Sequence, residues 1–128
     1  MHLSEAYKII GGEISIRKLV DNFYDLMSEN PDYFAIRKLH PQNLKDSRDK
    51  LFMFLSGWMG GPSLYVKKYG EPRLRSRHLV FSIGILEKDQ WLSCMNQAMI
   101  NTGVQEGLRK NLVKAFEQTA DFMRNRSE

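Results

Sequence analysis

Cysteine is nearly absent from this chain: Cys94 is the only one among 128 residues. An internal disulfide is thereby excluded, and one thiolate is too few for a structural zinc or an iron–sulfur centre. Long apolar runs are missing as well. No stretch approaches the roughly 20 residues that would span a bilayer, and Met1-His2-Leu3-Ser4-Glu5 lacks the charged and apolar regions of a secretory leader. The expectation is a cytoplasmic protein without a membrane partner. No segment of five or more residues alternates cleanly between apolar and polar, so half-buried strands are not expected and the chain reads as all-α. Histidine is scarce too, with three in all.

The length predicts one domain, residues 1–128, burying roughly two-thirds of the surface that the extended chain exposes. Net charge is +4, and the densest positive stretch is Lys67, Lys68, Arg73, Arg75 and Arg77, broken by Glu71. With Tyr65 and Tyr69 interleaved, such a patch suits phosphate contacts, but nothing matches a nucleic-acid module. It is read as a solvated face, and nucleic acid is not an expected partner.

Helical periodicity runs through almost the whole chain. Ser4 is placed to cap a short first helix that ends at Gly11-Gly12. Ile16, Leu19, Val20, Phe23 and Met27 then form one apolar stripe, bordered by Tyr24 and ending at Asn30-Pro31. A short helical or irregular stretch leads to Leu39-His40-Pro41, where a residue before proline favours an extended corner. Asn43 is a candidate cap for the next helix, whose inner face carries Leu51, Phe54, Leu55 and Trp58, with Ser47 one turn before Leu51. Gly60-Gly61-Pro62 stops it. Between Ser63 and Phe81 the pattern weakens to a loop with one short helix around His78. Glu87 and Asp89 favour the start of a helix burying Trp91, Leu92, Met95, Ala98 and Met99. The last helix carries Leu108, Leu112, Ala115, Phe116, Thr119, Phe122 and Met123 inward.

The run Arg73-Leu74-Arg75-Ser76-Arg77-His78-Leu79-Val80-Phe81 puts an imidazole between a basic stretch and an apolar one. That combination suits an iron ligand facing a planar, dianionic, mostly apolar cofactor: rings meet Leu79, Val80 and Phe81, carboxylates meet arginines. Haem is such a cofactor. With Cys94 alone there is no Cys-x-x-Cys-His attachment site, so the haem would be noncovalent haem b.

Several spaced motifs resemble one family in order: Gly11-Gly12, Phe23-Tyr24, His40-Pro41, Phe54-Leu55 with Trp58, Gly60-Gly61-Pro62 followed by Tyr65, the Arg73–His78 run, and Trp91-Leu92-Ser93-Cys94-Met95. They are similar to the truncated haemoglobins, and more narrowly to group II, over a span from about Tyr7 to about Arg124. The resemblance implies a two-over-two helical sandwich. In it, the helix pair around Phe23 and Phe54 packs on the pair around Trp91 and Phe116 and encloses haem b. It implies His78 as proximal ligand, Tyr24 and Trp91 on the distal side, and Ser47 and Leu51 as two distal positions one turn apart. His40 stands where relatives often have tyrosine or phenylalanine, and Leu51 where they often have glutamine, which removes one donor.

Trp91 offers an N–H that only donates, Tyr24 a hydroxyl, and His40 a ring whose state changes near neutral pH. Donors fixed above the iron stabilise bound dioxygen, and two hydrogen bonds would slow its escape by a factor on the order of 30. Plainer readings stand beside these. Trp91 can instead simply pack as an aromatic, Tyr24 can turn to a backbone carbonyl, and His40 can face solvent or bind iron as a sixth ligand. Lys50, Arg77 and Tyr65 are the candidates for the propionates. Arg73 and Arg75 are expected to face water, while Phe54, Leu79, Phe81 and Met95 serve as apolar wall or plain core. Cys94 reads as a small buried hydrophobe.

Such a pocket suits reversible binding of dioxygen, nitric oxide and carbon monoxide, with redox work such as nitric oxide or peroxide detoxification favoured over oxygen transport. Catalytic turnover would need electrons from a separate reductase. The alternative is a non-enzymatic gas-binding or sensing protein, and the residues leave open both this choice and whether the chain is a monomer or a homodimer.

Overall fold

The computed structural model describes residues 2–79 and 81–126, so the expectation for Val80 falls outside the described residues. Among these residues there are eight α-helices and no strand, and no helix is long and apolar enough to cross a membrane.

The chain enters through a 3-10 turn, Leu3–Glu5, capped by His2: its ring accepts the Ser4 N–H at 3.4 Å, and the Glu5 carboxylate accepts the His2 N–H at 3.2 Å. Ser4, expected as the cap, lies inside the turn instead. Helix α1 (Ala6–Ile10) ends at Gly11, whose φ of +112° is left-handed, and α2 (Gly12–Glu29) starts at once. The stripe Ile16, Leu19, Val20, Phe23 and Met27 is buried as its spacing predicts, and Tyr24 is buried with it. Asn30 caps a 3-10 turn, Pro31–Tyr33, by accepting the Asp32 N–H at 2.9 Å, and α3 (Phe34–Arg37) follows. Before α4 (Lys45–Trp58), the Asn43 side chain accepts the Lys45 N–H at 2.9 Å.

Gly60 and Gly61 have a second duty besides ending α4. The chain here crosses the N-terminal segment, where the Met59 carbonyl accepts the Tyr7 N–H at 2.8 Å. A Cβ on Gly60 would sit 1.9 Å from the Ser4 carbonyl oxygen, and one on Gly61 would sit 2.2 Å from the Tyr7 ring. Close backbone approach therefore demands both glycines.

The stretch expected to be a loop with one short helix around His78 holds that helix, α6 (Leu74–His78), and a second one before it, α5 (Leu64–Tyr69). Helix α5 is anchored by the buried Tyr65 and carries Lys67 and Lys68 in its last turn, where cations favour the helix dipole. Helix α7 (Ile85–Asn101) opens with the Glu87 carboxylate accepting the Gly84 N–H at 2.7 Å. Helix α8 (Glu106–Met123) opens with the Gln105 side chain accepting the Leu108 N–H at 2.9 Å. It buries Leu108, Leu112, Phe116 and Ala120, but Phe122 is 61% exposed, contrary to its expected inward position. Residues one apart on a helix point about 100° from each other, so the face that takes Met123 turns Phe122 outward.

Helix α2 packs against both α4 and α7, and α7 packs against α8, giving two helix pairs laid across each other. Phe23, Met27, Leu55, Met95, Met99 and Leu112 fill the space between them. Each such side chain contributes about 1.5–3 kcal/mol on burial. On the outer side, Arg48 of α4 reaches Asp21 at 3.2 Å and Asp25 at 2.7 Å on α2. These half-exposed pairs add little energy but link the two helices above the cavity described next.

Candidate functional site

Near one end of the sandwich the helices do not close. They leave a cavity of about 540 Å3, within the range of roughly 300–1,000 Å3 usual for cofactor sites. Its walls come from α2, α4, α5, α6, α7 and α8, and most of the lining is apolar, with Phe54, Leu55, Trp58 and Phe116 prominent.

His78 enters from α6. Its Nδ1 lies 2.6 Å from the Leu74 carbonyl oxygen one turn back, so Nδ1 carries the proton and donates it there. The tautomer leaves Nε2 with its lone pair free, and His78 lines the cavity. The acceptor of the Nδ1 proton, which could not be read from the sequence, is thus the backbone carbonyl of Leu74 in the same helix.

Tyr24, His40 and Trp91 line the same cavity. The Tyr24 and His40 rings meet edge to face at 5.7 Å, and Phe23 packs edge-on against both Tyr24 at 5.0 Å and Trp91 at 5.3 Å. Among the described residues no hydrogen bond engages the Tyr24 hydroxyl or the Trp91 indole. Burial raises the Tyr24 pKa, with Arg48 partly opposing the rise, so the hydroxyl keeps its proton. His40 donates from Nδ1 to the Ile36 carbonyl at 2.8 Å, which rules out the solvent-facing reading of that nitrogen. Burial lowers its pKa below 6.5; the Ile36 bond opposes the shift, while Arg37 and His78 add to it, so the ring is neutral at pH 7.

Ser47, Lys50, Leu51, Phe54, Tyr65, Arg77 and Phe81 also line the cavity. Lys50 and Arg77 are exposed at its mouth, and the Arg77 guanidinium lies 5.8 Å from the centre of the Tyr65 ring. Two expected wall residues do not take part. Met95 is 1% exposed within the core, because the cavity follows only the first turns of α7, through Glu87, Lys88 and Trp91, before the helix runs on against α2. Leu79 is 56% exposed, since the step from His78 rotates it away from the opening. Arg75 does not simply face water: it donates to the Phe122 carbonyl at 3.1 Å and the Arg124 carbonyl at 3.0 Å. Phe116, Thr119, Ala120 and Met123 of α8 complete the wall. Their helical spacing marked an inner face in the sequence, yet nothing there told a cavity-lining face from a core-packing one.

Among the described residues no group of three or more His, Cys, Asp or Glu is placed to hold a metal ion. An ion liganded by His78 must therefore arrive with most of its ligands already in place, as in a metallated macrocycle. An apolar slot into which His78 and His40 each bring an imidazole whose Nδ1 is engaged, with cations at its rim, fits haem, whose flat body is apolar and whose propionates are anionic.

Crossed helix pairs clasping such a slot, with a histidine on one wall, are the arrangement of a globin. The sequence matches the family described as bacterial-like globin over residues 5–125. It is 38% identical over 122 residues to the group 2 truncated haemoglobin YjbI of Bacillus subtilis, covering 95% of this chain and 89% of that protein. The cold-adapted truncated haemoglobin of the Antarctic marine bacterium Pseudoalteromonas haloplanktis superposes with a TM-score of 0.92 at 38% identity, covering 95% of this chain and 98% of that one. The truncated oxygen-avid haemoglobin from Bacillus subtilis superposes with a TM-score of 0.85 at 38% identity, covering 94% and 99%. The chain belongs to the bacterial-like globins, as a group II truncated haemoglobin with the two-over-two fold.

Proposed function

We propose that this globin holds haem b noncovalently, with His78 as its proximal ligand, and that the opposite side of the cavity serves reversible binding of dioxygen, nitric oxide and carbon monoxide. The observation that carries the reading is the free Nε2 of His78 in an apolar slot, with its ring fixed by the Nδ1–Leu74 bond. Haem, when bound, would supply an iron able to bind a diatomic ligand.

The chain's own residues set what happens to that ligand. Lys50, Arg77 and Tyr65 would hold the propionates at the mouth, and Phe54 and Phe81 would keep water from the apolar body of the haem. Trp91 and Tyr24 present donors without competing partners among the described residues, while neutral His40 offers Nε2 as an acceptor or proton relay. Ser47 and Leu51 are small or aliphatic and leave space for a diatomic or for peroxide. The protein relative described as oxygen-avid is consistent with the slow release that two such donors produce.

A polar distal wall suits redox work, such as nitric oxide or peroxide detoxification, better than oxygen delivery. The electrons would come from a separate reductase, and a cytoplasmic setting would supply one. The test is a haem titration followed by visible absorption, on the wild type and on His78→Ala. The wild type should take up one haem with a globin-like spectrum, and His78→Ala should lose stable incorporation. Equal affinity in the two would reject the ligand assignment. Consumption of nitric oxide by the oxygenated protein, with re-reduction, then separates an enzyme from a gas-binding or sensing protein.

A further inference from the structure

Helix α6, which carries His78, is five residues long and has no buried residue. A helix that short does not hold itself together, and here burial does not hold it either. It starts from Arg73, at a φ of +46°, and packs against α8. Only Leu74 and His78 of it are half-buried, so polar links matter to its placement, and the residues that follow α8 provide them. Asn125 donates from its side-chain amide to the His78 carbonyl at 3.3 Å and to the Phe81 carbonyl at 2.8 Å. Its side-chain oxygen accepts the Ile83 N–H at 2.9 Å, and its own N–H donates to the Ile83 carbonyl at 2.8 Å. Arg126 adds bonds to the Ile83 carbonyl at 3.0 Å and to the Ser82 hydroxyl at 2.9 Å. From the other side, Arg75 of α6 donates to the Phe122 and Arg124 carbonyls and so ties the short helix to the end of the long one.

We propose that Asn125 is a positioning residue for the proximal histidine: the segment Arg124–Arg126 straps α6 and the loop after it onto α8 and thereby fixes the distance and tilt at which His78 meets the haem iron. The proposal rests on the haem reading above. Intrahelical geometry cannot do this alone, because the Nδ1–Leu74 bond fixes the ring only relative to α6. The strap fixes α6 relative to the cavity. Asn125 suits the task because one planar amide both donates and accepts, engaging carbonyls on either side of the turn and an N–H beyond it.

The experiment compares haem-loaded wild type, Asn125→Ala, Asn125→Asp and Arg75→Met. Two readouts are used: the rate of haem transfer to excess apomyoglobin, and the iron–histidine stretching band of the ferrous, ligand-free form by resonance Raman. Asn125→Ala should speed haem transfer by a factor on the order of 30, as expected for the lost pair of donated hydrogen bonds, and should shift or broaden the band. Asn125→Asp keeps the acceptor for Ile83 and loses the donor, so it should show the same change. Arg75→Met should move both readouts in the same direction, and it carries the test with Asn125→Asp should Asn125→Ala fail to fold. A lowered melting temperature with an unchanged band and transfer rate would overturn the proposal, as would wild-type behaviour in Asn125→Asp. Wild type that takes up no haem would instead sink the haem reading.

Discussion

Trp91 carries an indole N–H that can only donate, and its ring is held between Phe23 and Phe116, edge-on to each at 5.3 Å. Phenylalanine in its place would keep both aromatic contacts and delete the donor. Trp91→Phe is therefore expected to speed dioxygen release about fivefold, as one hydrogen bond is worth roughly 1 kcal/mol. Stopped-flow displacement by carbon monoxide measures it, and an unchanged rate would show that the indole only packs. His78, Tyr24, His40 and Trp91 could be picked from the sequence because each is a rare or amphipathic residue inside a recognisable run. Met95 and Leu79 could not be placed on the same footing. Their composition suits a cavity wall, but whether a helical residue faces a cavity or a core depends on where the neighbouring helix ends.

Short elements behave differently from long ones. The stripes of α2 and α8 are long enough for periodicity to reveal their inner faces, and Ile16 through Met27 and Leu108 through Phe116 are buried accordingly. The region from Ser63 to Phe81 holds α5 and α6, each too brief to show a period, and their helicity comes from anchoring by Tyr65 and by the strap through Asn125. The glycine pair after α4 lies between these extremes. Its stop signal was legible, but its close contact with Ser4 and Tyr7 joins segments far apart in the chain. Gly60→Ala places a Cβ 1.9 Å from a backbone oxygen at a φ of +90°, so the N-terminal segment or the end of α4 must shift. A loss of about 2–4 kcal/mol of folding stability is expected, measured by urea unfolding. A loss below about 0.5 kcal/mol, the range of ordinary surface substitutions, would show that the contact gives way easily.

For the molecule as a whole, the burial of His40 makes stability depend on pH. The His40 pKa is depressed chiefly by burial, so between that lowered value and 6.5 the unfolded chain binds a proton that the folded chain refuses. Stability therefore falls as pH drops below about 6.5 and levels off once the folded form is protonated too. His40→Gln should remove this share of the acid sensitivity, read as a smaller drop in melting temperature between about pH 7.5 and pH 5.5. Identical profiles would show that other groups carry it. Cys94 lies 0% exposed beside the Phe23 carbonyl, and burial pushes its thiol up to about 12, so it behaves as the packed hydrophobe that its isolation in the sequence implied. Periodicity, breakers and rare residues determined the long helices, their inner faces and the run that carries His78, because those signals are local and each residue carries its own share. Tertiary structure alone decided which inner faces stay open as a cavity, which carbonyl holds His78, and that residues far along the chain strap its helix in place. Such contacts join positions whose nearness exists only after the two helix pairs have crossed.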